Sequence, residues 1–329
     1  MLGNFFNRMY YGKAGKGDFN PEHLPANRIQ LFFQMLRVRW SALVRLNLLY
    51  VLFWLPAILW TGLNIMTAMG VLNGVAAGEL TDIEANAQLM GLLRTWLMIL
   101  TPCIAITGPA TAGASYVTRN WARDEHSFMW SDFKDAMKSN WKQALVVSMI
   151  SGIAPLLVYV SYYVYGGFVD QYGVGFAIPQ IIVILLGVLW MLSQQMVYTL
   201  MVTYKLSFKN LMKNAALLSI GKLPLSIGIK LVTWIVPGIA ALLFLFVPSV
   251  SVYALLFMFV YYVFFGLAFN RFVYASYANG LCEKYINPQI EGAEVGMGLR
   301  KTTEDDYEID PTLPQPPGIM EEMASKDEK

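Results

Sequence analysis

Histidine, cysteine and charge are all scarce in this chain, and each scarcity removes a class of function. Only His23 and His126 occur in 329 residues, both in polar segments, and neither has a second ligand at metal-binding spacing. The two cysteines, Cys103 inside an apolar run and Cys282 just after the last one, give no support to a disulfide framework or a thiolate metal site. A phosphate-binding loop, a GxGxxG after a strand, an HExxH and a GxSxG are all missing, so nucleotide hydrolysis, dinucleotide binding and the common hydrolase mechanisms lack their parts. No catalytic residue, metal ligand or cofactor is expected, and the chain reads as a non-enzyme. The weak enzymatic alternative would have to be assembled from Asp124, Glu125, His126 and Asp132 in one loop, where solvated charges are the simpler explanation.

Charged residues make up 14% of the chain, against roughly 25% in soluble domains, while 56% is hydrophobic and mean hydropathy is +0.47. Aromatics reach 14%, with nine tryptophans, which suits a protein with two water–lipid interfaces. A crossing helix needs about 20 apolar residues. Stretches free of Asp, Glu, Lys and Arg run from Leu46 to Gly78, Thr95 to Thr118, Ala144 to Val169, Gln171 to Tyr204 and Leu231 to Asn270. The last is too long for one span and is divided at Pro248, Ser249 and Ser251.

The expected fold is therefore an all-α polytopic membrane bundle. Its six transmembrane helices fall near 46–69, 95–118, 144–166, 177–203, 224–247 and 250–271, within a membrane domain of residues 43–276. Residues 1–42 form an N-terminal cytoplasmic segment, polar and basic and without the features of a signal peptide. Of the 19 basic residues before position 283, 18 fall on one side if both termini are cytoplasmic, and Arg94 alone is outside. From Glu283 to Lys329 twelve acidic residues face five basic ones, with Pro311, Pro314, Pro316 and Pro317 close together, as in a disordered acidic tail. Topology explains the lysines, so nucleic-acid binding is not expected.

Two loops echo one another: Phe133-Lys134-Asp135-Ala136-Met137-Lys138 and Phe208-Lys209-Asn210-Leu211-Met212-Lys213. The pattern FKxxMK leaves open a same-orientation internal repeat. In the first copy Trp130, Phe133, Met137 and Trp141 share a helical face beside Lys134, Lys138 and Lys142. Two cytoplasmic amphipathic helices are expected in the headgroup plane, with lysines reaching anionic lipid; packing on the bundle ends is the alternative. Within the spans the candidate polar positions are Asn47, Gln194, Gln195 and Lys230, the lysine either snorkelling or facing a cavity. Gly108-Pro109 and Pro237 are the places where a helix could break, though membrane helices tolerate proline and kinked but continuous helices are expected there.

Three segments, NLLYVLFWLP at Asn47–Pro56, GPATAGASYVTRNWARDE at Gly108–Glu125 and SDFKDAMKSNWKQA at Ser131–Ala144, resemble the YesL-like family of bacterial integral membrane proteins, the domain of unknown function numbered 624. The likeness covers about residues 25–280, and the acidic tail departs from it. It implies a multi-pass protein of the bacterial cytoplasmic membrane, set near carbohydrate uptake and without an assigned activity. It also marks Asn47, Pro56, Pro109, Asp132 and Phe133 as motif residues, with Gly108 and Phe208 beside them in the motif and the echo. On these grounds the expected role is an accessory or assembly factor contacting the permease subunits of an ABC-type sugar transporter. A small-molecule or ion transporter or channel is the alternative.

Overall fold

Asn27 opens the first helix: its side-chain oxygen accepts the N–H of Gln30 at 2.9 Å, satisfying a donor that a helix start leaves without an intrahelical partner. Helix α1 is Arg28–Val38, and after a break at Arg39 helix α2 runs Trp40–Ala76. There follow α3 (Asp82–Ala105), α4 (Gly108–Ala122), α5 (Met129–Tyr172), α6 (Ala177–Thr203), α7 (Phe208–Gly221) and α8 (Leu223–Phe246). The last helix has three parts: α9 (Ser251–Tyr261), a π-helical turn (Tyr262–Gly266) and α10 (Leu267–Tyr285). This computed structural model describes residues 24–300 apart from 291 and 294, and its helical unit is Pro25–Gly298. Of the segment expected over residues 1–42, the part before residue 24 lies outside the described residues, and the rest holds α1 and the start of α2. Of the tail expected from Glu283, the part after residue 300 lies outside them, whereas Glu283–Tyr285 complete α10 and Glu283 pairs with Arg28 rather than being disordered.

Among the described residues the fold is all-helical, and six helices are long and apolar enough to cross a membrane. They are α2, α3, α5, α6 with its preceding turn, α8, and the α9–α10 rod continued to Gln289. A 3₁₀ turn at Pro248–Val250 divides the longest apolar run, and Gly173, at φ 100°, allows the tight reversal from α5 into α6.

The second span differs from the expected 95–118. Thr81 and Glu84 form a reciprocal capping box that starts α3 at Asp82, well before the charge-free run, so Arg94 sits exposed in mid-helix rather than in a loop. At the other end, Pro109 cannot donate a backbone hydrogen bond, and it begins a new helix, α4, instead of continuing the old one. The residues from Gly108 to Ala122 are therefore a short inner helix with nearly every side chain buried.

Both echo segments are helical, and each packs one face onto the bundle. Phe133 is only 2% exposed and Ala136 is buried, as are Leu211 and Ala215 in the second copy. The inward direction passes through Phe133, Ala136 and Ala144, which leaves Trp130 (63% exposed) and Trp141 (49%) on the flank. The first copy runs unbroken into the α5 span, whereas the second ends at Gly221, just ahead of Pro224. In register, Ala136 matches Leu211 and Ala144 matches Ser219, all four buried, so the echo in sequence is an echo in burial.

Candidate functional site

The π-helical turn leaves backbone carbonyls out of the ordinary helical ladder, and Asn47 collects them. Its Nδ2 donates to the carbonyls of Tyr262 and Val263, both at 2.8 Å, and its Oδ1 accepts the N–H of Ala268 at 2.7 Å. The side chain is fully buried, so α2 is pinned to the last helix by a satisfied polar junction.

Beyond this junction five helices contribute to a group of tyrosines and their partners. Tyr50 on α2 shares a 2.6 Å hydrogen bond with Thr111 on α4, and Ser226 on α8 shares one of 2.8 Å with Tyr277 on α10. Gln195 on α6 donates from Nε2 to the Ser226 carbonyl at 2.9 Å, while its Oε1 is buried without a partner. Lys230 Nζ lies 5.6 Å from the centre of the Trp234 ring and 5.4 Å from that of Tyr274, and it donates to Tyr274 Oη at 3.3 Å. That hydroxyl also meets Thr233 Oγ1 at 2.9 Å. Arg271 stacks over Tyr274 and Tyr198 at 5.0 and 5.5 Å.

Cation–π contacts contribute about 1 kcal/mol each, up to about 2 when desolvated. A cation at the centre of a crossing helix costs about 3 kcal/mol on insertion scales, so the rings offset only part of the cost of these two charges. No carboxylate completes the balance: neither Lys230 nor Arg271 forms an ion pair among the described residues, and the pairs Arg28–Glu283, Arg119–Glu125 and Arg123–Glu125 lie elsewhere.

Those three pairs organise the end of the bundle. Arg119 and Arg123 share Glu125 at 3.8 and 3.2 Å, and Arg28 also donates to the Met297 carbonyl at 3.0 Å, tying the chain after α10 to α1. Burial, reinforced by Arg123, pushes the Arg119 guanidinium below its ordinary pKa, with Glu125 pulling it back. Tyr204, whose hydroxyl donates to Asn287 at 2.5 Å, is pushed up by burial. Asp132 closes the start of α5 by accepting from the Phe128 N–H at 2.9 Å and the Ser127 hydroxyl at 2.7 Å. His126 lies against the Phe128 ring at 4.6 Å, while Glu125 is held by Arg119 and Arg123 and Asp132 by the start of α5.

Small residues set how closely α4 approaches α5. A Cβ at Gly108 would overlap Ser148 Oγ and the Ala144 carbonyl, and one at Gly113 would come within 2.6 Å of the Phe133 carbonyl. Residues 43–162 match the profile of the family described as "Protein of unknown function, DUF624". Over that stretch the chain is similar to DUF624. No curated protein and no solved structure matches it.

The matched segment carries the motif residues other than Phe208, and the structure gives most of them packing roles. Asn47 binds the π-turn, Gly108 permits the α4–α5 approach, Pro109 opens α4, Asp132 caps α5 and Phe133 fills the space above Gly113. Pro56 sits exposed inside α2, and no contact of its ring accounts for it. Phe208 packs at the edge of the apolar core centred on Met196, Leu200 and Leu211. Of the sequence candidates outside the matched segment, Gln195 and Lys230 are brought into the tyrosine group, and Gln194 Nε2, one turn before Tyr198 on α6, is buried without a partner. Arg271, Tyr198, Tyr274 and Tyr50 were not singled out by sequence, although Arg271, Tyr274 and Tyr277 recur at the three-residue spacing of one helical face.

Proposed function

We propose that this protein is a non-enzymatic accessory or assembly factor that works by docking against a second membrane protein through the projecting end of α5. The observation that carries the reading is the pairing of length with exposure in that helix. At 44 residues α5 is about 66 Å long, roughly twice the hydrocarbon core. Its first turns leave Phe128, Trp130 and Trp141 exposed beside Lys134 and Lys138. Exposed tryptophan flanked by cations is the composition of a protein-docking surface, and the basic residues around it support a cytoplasmic placement of that end. The carbohydrate-uptake setting that the family resemblance implies makes the permease subunits of an ABC-type sugar transporter the first partner to try.

Support for this reading over transport comes from the interior. Gln195 is 1% exposed and bonded to a backbone carbonyl, as in a packed bundle rather than a water-lined path. The test is photocrosslinking in cells, with a photoreactive residue at Trp130 or Trp141 and, as control, at Leu185, which is exposed on α6. Permease adducts from 130 and 141 and none from 185 are expected. Lipid adducts alone from all three positions would overturn the docking reading, and saturable oligosaccharide uptake by liposomes holding only this protein would replace it with transport.

A further inference from the structure

The geometry points to a binding site for a phosphate-type anion between α6, α8 and α10, with Lys230 and Arg271 as its cationic walls. From Gln171 to Cys282 the chain contains no aspartate or glutamate, yet two cations from different helices are brought to the same ring, that of Tyr274. Neither forms an ion pair among the described residues.

Their donors are also unspent. Arg271 finds no hydrogen-bond acceptor among the described residues, and Lys230 finds one, the Tyr274 hydroxyl, at a long 3.3 Å. Gln194 Nε2, one turn before Tyr198 on α6, is a buried donor without a partner, and the Tyr198 ring is the second surface on which Arg271 rests. Two positive charges, a free guanidinium fork and an unmet amide donor lack one thing, a polyoxyanion. The fork matches two oxygens of such a group while the ammonium supplies a point charge.

The group can arrive in two ways. Trp234, half exposed beside Lys230, marks an edge open to the bilayer, through which a lipid headgroup phosphate would enter sideways. A free phosphate would enter from the aqueous end. The site concerns α6, α8 and α10 and is independent of docking by α5.

The experiment uses the full chain in two arms. In the first, protein reconstituted with equal phosphatidylglycerol and phosphatidylcholine is analysed by native mass spectrometry for retained lipid. In the second, protein in phosphatidylcholine alone is titrated with inorganic phosphate, following tryptophan fluorescence. The expected result is at least tenfold preference for phosphatidylglycerol, or a saturable phosphate response, with the responding arm naming the source. Lys230→Gln and Arg271→Gln should each cut the effect at least fivefold and Arg271→Lys should restore part of it, while Arg94→Gln, which removes a charge elsewhere, leaves it intact. All variants are compared as monodisperse protein by size exclusion. No preference and no saturable response in the wild type, or equal binding by wild type, Lys230→Gln and Arg271→Gln, would overturn the site.

Discussion

The side-chain carbonyl of Asn47 accepts the backbone N–H of Ala268 at 2.7 Å, joining the first long helix to the last across 221 positions of sequence. With the two bonds from its amide to Tyr262 and Val263, this junction has no water to replace a lost partner, because the side chain is fully buried. Asn47→Ala should cost about 3 kcal/mol, the range for a broken buried network. A thermal unfolding series in detergent would show a clear drop in midpoint; an unchanged midpoint would mean the π-turn finds its own partners.

Gly108→Ala places a methyl group against both Ser148 Oγ and the Ala144 carbonyl. Overpacking of this kind costs about 1–3 kcal/mol. Combining it with Ser148→Ala should fail to rescue stability, because the backbone carbonyl remains in the way. Full rescue would show that the serine alone sets the spacing.

Asp132 caps α5 through two hydrogen bonds to residues that precede the helix proper. Asp132→Ala should lose about 1 kcal/mol and Asp132→Ser less, since a hydroxyl can still accept. Hydrogen exchange should quicken at the amides of the first turn of α5 in the alanine variant only. Faster exchange throughout the bundle would point to a wider role.

Asp124 sits at φ 56°, a left-handed conformation, and partial burial raises its pKa above the ordinary carboxylate value, against the pull of Arg39. The folded protein thus holds this proton more tightly than the unfolded chain does. Its contribution to stability is best below the unfolded pKa, about 3.9, and declines as pH rises through the folded value. Asp124→Asn keeps a residue that tolerates the backbone and removes the charge, so it should raise the unfolding midpoint slightly at pH 7 and leave it unchanged near pH 3. A fall at pH 7 would show that attraction to Arg39 outweighs burial.

Six crossings were legible because a charge-free run is a direct record of the hydrocarbon it must traverse. The start of α3 was not, because hydropathy cannot weigh the Thr81–Glu84 capping box against the charges it includes. Nor could it separate α3 from α4, since the break depends on a missing N–H at Pro109 and not on polarity. Lys230 stood out as a charge inside a span, but Arg271 was assigned by topology to the end of one, and only the fold reveals that both reach Tyr274. Asn47 was visible as a polar residue; its partners are main-chain atoms, which leave no trace in side-chain identity.

A π-turn holds one residue more than the α-helical turn it replaces, and so it acts as a phase setter for everything after it. The α9 face and the α10 face are offset by about 100° relative to an unbroken helix. Deleting one residue between Tyr262 and Gly266 would remove no charge from α10 itself, yet it would swing Arg271, Tyr274 and Tyr277 together off their present bearing. The aim of those three side chains is thus encoded by a residue count upstream, and Asn47 on α2 is the clasp that keeps the count.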